Sequence, residues 1–287
     1  MPFVFAPVQV GAARWDGHRC YVIGVVNVTP DSFSDGGLFL EAEVAVQHGL
    51  TLVNEGADAL DVGGESTRPG SEPVAVDVEL ERVLPVVRAL APRTQVPLSI
   101  DTTKAEVARQ ALAAGASIVN DVSGFRLDPA MAEVVARADA TVILGHLRGR
   151  PATMQDGIAF EDVVAEVIDE LKAAIRTAVR AGIRAERIWA DPGLGFGKTA
   201  TQTTALLAAT GEIREALGVP LMVGPSRKSF LGVHTGQNVG DRVMATAAAV
   251  TAGILAGANA VRVHDVGALL PAVRVADAVR GARATRS

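Results

Sequence analysis

The chain has 287 residues and a formal net charge of −5, and 49% of it is apolar, ample for one large α/β core or two small ones. The acidic balance excludes a nucleic acid or a membrane surface as the main partner, so an anionic ligand has to be held by local cations. The single cysteine, Cys20, excludes an intramolecular disulfide framework; at the head of the first long strand it reads as a buried thiol, not a nucleophile.

The opening segment MPFVFAPVQVGAARW has no basic region ahead of its apolar residues, so no signal peptide is expected. Phe3 and Phe5, then Val8 and Val10, alternate with other residues, and Asp16-Gly17 between apolar runs is a hairpin signal. Residues 1–19 are therefore expected to form an N-terminal hairpin that caps a domain spanning 20–287. Next comes the β-branched run Tyr21–Asn27, the mark of a strand buried on both faces. At Asn27 the character changes, and Thr, Pro, Asp, Ser and Gly dominate up to Gly37. That loop is too long to be only a βα link, and it reads as functional.

Further strand-like runs follow at Ala59–Gly63, Pro97–Asp101, Ser117–Asp121, Thr141–His146, Arg187–Asp191, Pro220–Gly224 and Ala260–His264, each trailed by a helical pattern. The clearest helix is Phe160 to Gly182, with Phe160, Val163, Val164, Val167, Ile168, Leu171, Ile175 and Val179 on one stripe and Gly182 as its cap. Such a succession predicts a closed single-domain (β/α)8 TIM barrel, with an open doubly wound sheet as the alternative. The longest mostly apolar stretch, Met244 to Ala260, is interrupted by Thr and Gly and too short to span a bilayer. A soluble, cytoplasmic protein is expected.

Nearly every strand run ends on a polar residue: Asn27, Asp61, Asp101, Asn120-Asp121, His146, Asp191, Arg262 and His264. In a parallel barrel these ends share one face, so the groups converge. Helix capping accounts for Asp101 or Asp191 singly and a turn for Asn120-Asp121, but neither accounts for the whole set. Other site types fail on spacing. Gly-Phe-Gly-Lys-Thr is not a phosphate-binding loop, because Pro192 stands where the first glycine is needed. Ser66 and Ser226 lack a nucleophile-elbow pattern, and no His/Cys cluster has zinc spacing. The three glycines Gly193, Gly195 and Gly197 read as a tight turn after the strand carrying Asp191.

The segments NVTPDSFSDGG (Asn27–Gly37), DVGGESTRPG (Asp61–Gly70), DPGLGFGKT (Asp191–Thr199), GPSRKSF (Gly224–Phe230) and RVHDV (Arg262–Val266) together resemble the dihydropteroate synthases, a family of pterin-binding enzymes. The resemblance runs in order from Tyr21 onward. It implies condensation of a dihydropterin-methyl diphosphate with 4-aminobenzoate, by loss of diphosphate followed by attack of the aniline nitrogen. It implies that Asp101, Asn120, Asp191, Lys228 and Thr67 hold the pterin, with Asp121 orienting its neighbours and His146 only a wall. Asn27, Arg262 and His264 would hold the diphosphate, and Asn27 would be the protein ligand of Mg²⁺. A lone amide suits Mg²⁺, which keeps waters and takes substrate oxygens. Asp35, Lys228 and Arg68 would serve the chemistry itself, Asp35 by stabilising the cation. Phe33, Pro69, Phe196, Arg227, Lys228 and Ser229 would form the aminobenzoate pocket, which sulfonamides would share. The loops holding Asp31, Ser32, Phe33 and Asp35, and Ser66 to Gly70, would close over the pterin and exclude water.

One departure stands out. Many members have Met-His-Met where this chain has Gly145-His146-Leu147, so side-chain bulk is lost at Gly145. Two rivals share the barrel: a pterin-binding methyltransferase, which needs no diphosphate grip, and a non-catalytic binding paralogue. Arg262, His264, Asn27 and the complete loops speak against both. The Val239–Ala256 helix is apolar nearly all round, which is expected of a homodimer interface or of burial within the monomer.

Overall fold

A computed structural model describes residues 5, 7–11, 13–28 and 37–284, with side chains apart from those of 37–41 and 284. Eight parallel strands run in the order β8-β7-β6-β5-β4-β3-β10-β9. They are β3 (Tyr21–Asn27), β4 (Ala59–Gly63), β5 (Leu98–Asp101), β6 (Ile118–Asp121), β7 (Thr141–Gly145), β8 (Ile188–Asp191), β9 (Met222–Val223) and β10 (Ala260–Val263). A parallel bridge between Ala190 and Leu221 joins the two ends of this order. The sheet is thus a nearly closed (β/α)8 barrel, as expected. β3 and β4 coincide with their apolar runs, the other six strands are shorter by a residue or more, and His146 and His264 fall just beyond β7 and β10.

The helices lie between the strands: α1 (Gly37–Asn54), α2 (Val76–Leu90), α3 (Ala105–Ala113), α4 (Met131–Arg137), α5 (Val163–Arg180), α6 (Ala200–Ala208), α7 (Thr210–Leu217), α8 (Ser229–Thr235), α9 (Val243–Ala256) and α10 (Val266–Ala284). The α5 helix starts later than its apolar stripe suggests. Asp162 is the N-cap, its Oδ1 accepting from Val164 and Ala165 N–H, so Phe160 and Glu161 stay outside. Phe160 is covered instead by the Arg148 guanidinium, 3.9 Å above its ring. A capping box between Thr199 and Gln202 starts α6 immediately after the glycine turn.

Strand alternation divides the core. Outward residues such as Val22, Val26, Leu60, Val62, Ile100 and Val119 pack under the helices. Inward residues Ile23, Ala59, Ile118, Ile143, Trp189, Met222 and Ala260 fill the barrel's lower interior together with Val8, Val10 and Trp15. Those last three come from an N-terminal hairpin of β1 (Val8–Val10) and β2 (Ala13–Trp15) that plugs the end where the strands begin. Its turn lies at Gly11, with φ of 56°, and not at Asp16-Gly17. Asp16 instead shapes the passage into β3, accepting from His18 N and from the Tyr21 hydroxyl. Phe3 lies outside the described residues.

Candidate active site

One step of two residues above the apolar layer, the same strand faces turn polar. Ala59 is followed by Asp61, Ile118 by Asn120, Trp189 by Asp191 and Ala260 by Arg262, and the buried, already polar Ser99 by Asp101. The in-register ladder puts these residues at one mouth. Asp61 is their hub. Its Oδ2 accepts from Asn120 Nδ2 at 2.9 Å and from Arg262 Nε at 2.6 Å, while Arg262 Nη2 donates to Asp101 Oδ2 at 2.7 Å. A carboxylate only accepts, so the Asn120 nitrogen is committed inward and its oxygen is the atom left to accept from a ligand. The second oxygens of Asp61 and Asp101 are buried with no hydrogen-bond partner among the described residues. Buried acceptors of this kind call for a donor, and a ligand rich in N–H groups provides it.

Burial drives the charges of this mouth toward neutrality. It raises the Asp101 carboxyl to about 7, against the pull of Arg262, and it raises Asp191 as well. It lowers the Lys228 amine to about 8, although Asp191 and Asp101 oppose the shift. Arg262 is different: burial works against its charge, but Asp61 and Asp101 outweigh it and raise its pKa. The cluster therefore combines one permanent cation with carboxyl and amine groups poised near neutral pH.

Lys228 stands just ahead of α8, in the loop after β9. Its amine lies 3.7 Å above the Phe196 ring. Arg242 holds this loop from behind, donating to the carbonyls of Arg227 and Lys228. Arg227 takes a left-handed backbone, φ 58°, and its exposed side chain donates twice to Asp265. That pairing puts the Arg227 guanidinium on Asp265 and not on the cluster. Ser229 is exposed at the first turn of α8. His264 Nδ1 pairs with Ser226 Oγ at 3.0 Å, and burial with the Arg262 charge holds its pKa down at about 3, so the ring is neutral. Asn27, half-buried, closes β3 beside Gly63 of β4.

The turn after β8 forms the opposite wall. Gly193, Gly195 and Gly197 all have positive φ, and a Cβ on Gly193 would lie 1.9 Å from the His146 carbonyl oxygen. Phe196 packs there with Val122, Leu147 and Met154. Gly145 does not open a hole: a Cβ there would come within 2.5 Å of the Val122 backbone, so β6's exit occupies the space a side chain would need. Asp121 is fully buried and accepts from the Ser123 hydroxyl and the Ser123 and Phe125 N–H groups, which shapes that exit.

The segment between β4 and α2 rises over the same face. Glu65 anchors it, accepting from Val74 N–H and from Lys104, which also reaches the buried Glu79. Ser66 and Ser71 hydroxyls pair at 2.8 Å, and Gly70 N–H donates to Pro151 O. Thr67 is half-buried, and Arg68 and Pro69 are exposed. Among the described residues none of these three makes a hydrogen bond or ion pair to the Asp61 cluster through its side chain. Asp31, Ser32, Phe33 and Asp35 lie outside the described residues.

Sequence reasoning marked Asp61 only as one more polar strand end and missed its central place. It met Lys198 only in a rejected phosphate-loop pattern and gave it no role. Lys198 is 3% exposed and its Nζ donates to Phe196 O, Gly193 O and His146 Nδ1 at 2.8, 3.0 and 2.9 Å. The signal available was a lysine between a glycine turn and a threonine cap, which is no more than a surface pattern.

The sequence model described as "Pterin binding enzyme" matches residues 23–264. A dihydropteroate synthase of Synechocystis sp. is 46% identical over 95% of both chains. Among solved structures, the dihydropteroate synthase of Xanthomonas albilineans with 4-aminobenzoic acid superposes with a TM-score of 0.89 at 45% identity, covering 96% of this chain and 98% of that one. The same organism's enzyme in complex with 7,8-dihydropteroate gives 0.85 at 42% identity, covering 96% and 98%. With the barrel, the polar mouth and these likenesses in agreement, the chain belongs to the pterin-binding enzyme family, among the dihydropteroate synthases.

Proposed function

We propose that the chain condenses (7,8-dihydropterin-6-yl)methyl diphosphate with 4-aminobenzoate, giving 7,8-dihydropteroate and diphosphate. The observation that carries this reading is the Asp61–Asn120–Arg262–Asp101 network with its unpartnered carboxylate oxygens. A flat ring with several N–H groups meets those acceptors, and a ligand without them leaves buried polar atoms unpaired. Asp191 and Asn120 accept from the ring edge, Asp101 takes its other side, and Lys228 donates to the ring carbonyl. Arg262, already oriented by two carboxylates, meets the diphosphate with His264 and Asn27 beside it. The ring spreads the charge left when diphosphate departs, and the aniline nitrogen then attacks the methylene carbon. Thr67, Arg68 and Pro69 on the loop after β4, with Phe33 and Asp35 on the loop after β3, complete the cover and the amine pocket. Phe196, Ser229 and the Arg227 rim bound that pocket from the other side.

Mg²⁺ fits this reading as a companion of the diphosphate. Among the described residues no three His, Cys, Asp or Glu side chains are grouped to hold a metal. Asn27, a neutral oxygen donor at a strand end, suits an ion that keeps its waters and phosphate ligands. When bound, the ion would neutralise charge on the leaving group. Sulfonamides, which resemble aminobenzoate, would compete for the amine pocket. A homodimer is also proposed: Met244, Ala248 and Ala252 make an exposed small apolar stripe along α9, and a second copy would cover it. Residues 20–287 would then be the catalytic barrel and 1–19 its cap. No described helix is long and apolar enough to cross a membrane.

The test is diphosphate release with both substrates and Mg²⁺. Release that depends on aminobenzoate is expected. Its absence would leave a pterin-binding methyltransferase or a binding-only protein.

A further inference from the structure

The turn that carries Phe196 is pinned by the buried Lys198 amine, whose pKa burial lowers to about 7 and which has no carboxylate bonded to it among the described residues. Lys198 Nζ donates to Phe196 O at 2.8 Å, Gly193 O at 3.0 Å and His146 Nδ1 at 2.9 Å, with His146 O at 3.3 Å. With the amine charged it has only donors, and His146 Nδ1 is then the acceptor with its ring proton on Nε2. That nitrogen faces Glu170 Oε2 at 3.2 Å, and Arg126 and Arg148 hold Glu170 in turn. His146 Nε2 makes no hydrogen bond among the described residues, so the bonded chain runs from His146 through Lys198 to the glycine turn, with Glu170 beside the ring. Stripping water from an amine is unfavourable, and an apolar side chain would fill the space without that cost. What the amine adds is a fixed position for the carbonyls at both ends of the turn.

Both ends matter to the site. Gly193 N–H donates to Asp191 Oδ1 at 2.8 Å, and the Phe196 ring lies 3.7 Å from Lys228 Nζ. Asp191 also belongs to β8 and is held by the sheet, whereas Phe196 stands on the turn alone. We propose that Lys198 is a positioning residue for the amine half of the reaction. Its amine ties the Gly193 and Phe196 carbonyls to His146 and so fixes the Phe196 ring against Lys228, where the aromatic nucleophile lies. This rests on the function proposed above.

The experiment is steady-state kinetics in both substrates for Lys198→Met, His146→Asn and His146→Gln. Lys198→Met raises KM for 4-aminobenzoate about tenfold or more and leaves KM for the pterin diphosphate within about threefold, because Asp191, although it accepts from Gly193 N–H, is held by β8 as well. His146→Asn puts an oxygen near the Nδ1 position and keeps the wild-type KM ratio. His146→Gln reaches toward Glu170 instead and shifts the ratio as Lys198→Met does. Equal changes in the two KM values, or none, overturn the proposal. If Lys198→Met does not fold, the two His146 variants decide, and identical ratios in both overturn it. Wild-type protein without aminobenzoate-dependent turnover removes the functional reading itself. Wild-type turnover with an unshifted ratio removes only the role of Lys198.

Discussion

Replacing Asp61 by Asn tests the network at its hub. One oxygen, Oδ2, accepts both the Asn120 and the Arg262 bonds, and the other accepts none among the described residues. An asparagine with its carbonyl at the Oδ2 place keeps both contacts and the side-chain volume. Only the charge is lost, and an amide NH₂ takes the unpartnered place. Taking one charge from a buried pair costs about 3–5 kcal/mol when the other is left alone. Here Arg262 keeps Asp101 at 2.7 Å, and Asp101 loses the like charge that helps raise its pKa. The lower end applies, about 3 kcal/mol, or roughly a hundredfold in the folding constant. Urea denaturation at pH 7.5 measures it, beside the affinity for a pterin lacking the diphosphate. Stability is expected to fall, and pterin affinity to fall about tenfold or more, since an amide N–H then stands where the unpartnered oxygen accepted from the ring. A stability change below about 1 kcal/mol would refute the hub argument. A pterin affinity unchanged within about threefold would refute the ring contact at that oxygen.

Two further outcomes follow from the same coordinates. Gly145→Ala drives a Cβ against the Val122 backbone, which cannot rotate away, and overpacking of this kind costs about 1–3 kcal/mol; an unchanged thermal midpoint would contradict the close approach of β6 and β7. His146 is held neutral by burial, its pKa lowered from 6.5 to about 4. A folded pKa below the unfolded one means the native state resists protonation, so this contribution is whole above pH 6.5 and is lost as pH falls toward 4. Within that window the stability advantage of wild type over His146→Asn should shrink by about 1.4 kcal/mol per pH unit, and a pH-independent difference would show that the imidazole is not kept neutral.

The class of fold was legible because its signals are local. Each buried parallel strand has to be a β-branched or apolar run, each covering helix has to carry a stripe, and their alternation leaves few architectures. The polar strand ends were legible for the same reason, since a period of two places Asp61, Asp101, Asn120, Asp191 and Arg262 on one face once the strands are parallel. Boundaries were less so. The α5 stripe ran on to Phe160, but Asp162 satisfied the helix N-terminus first, and Phe160 found a cation to lie under. Asp16-Gly17 had hairpin chemistry, yet the chain turned at Gly11, because Asp16 was drawn to the Tyr21 hydroxyl.

By itself, then, the sequence determined the order of strands and helices, the face on which polar groups gather and the family they resemble. Tertiary structure alone decided which of those groups touch. That Asp61 and not Asp191 takes Arg262 and Asn120 depends on neighbours brought together by barrel closure, far apart along the chain. That Lys198 is buried depends on a glycine turn lying on the His146 carbonyl. Hydrogen bonds of this kind are set by distances of a few tenths of an ångström between separate strands, and no spacing along one strand encodes them.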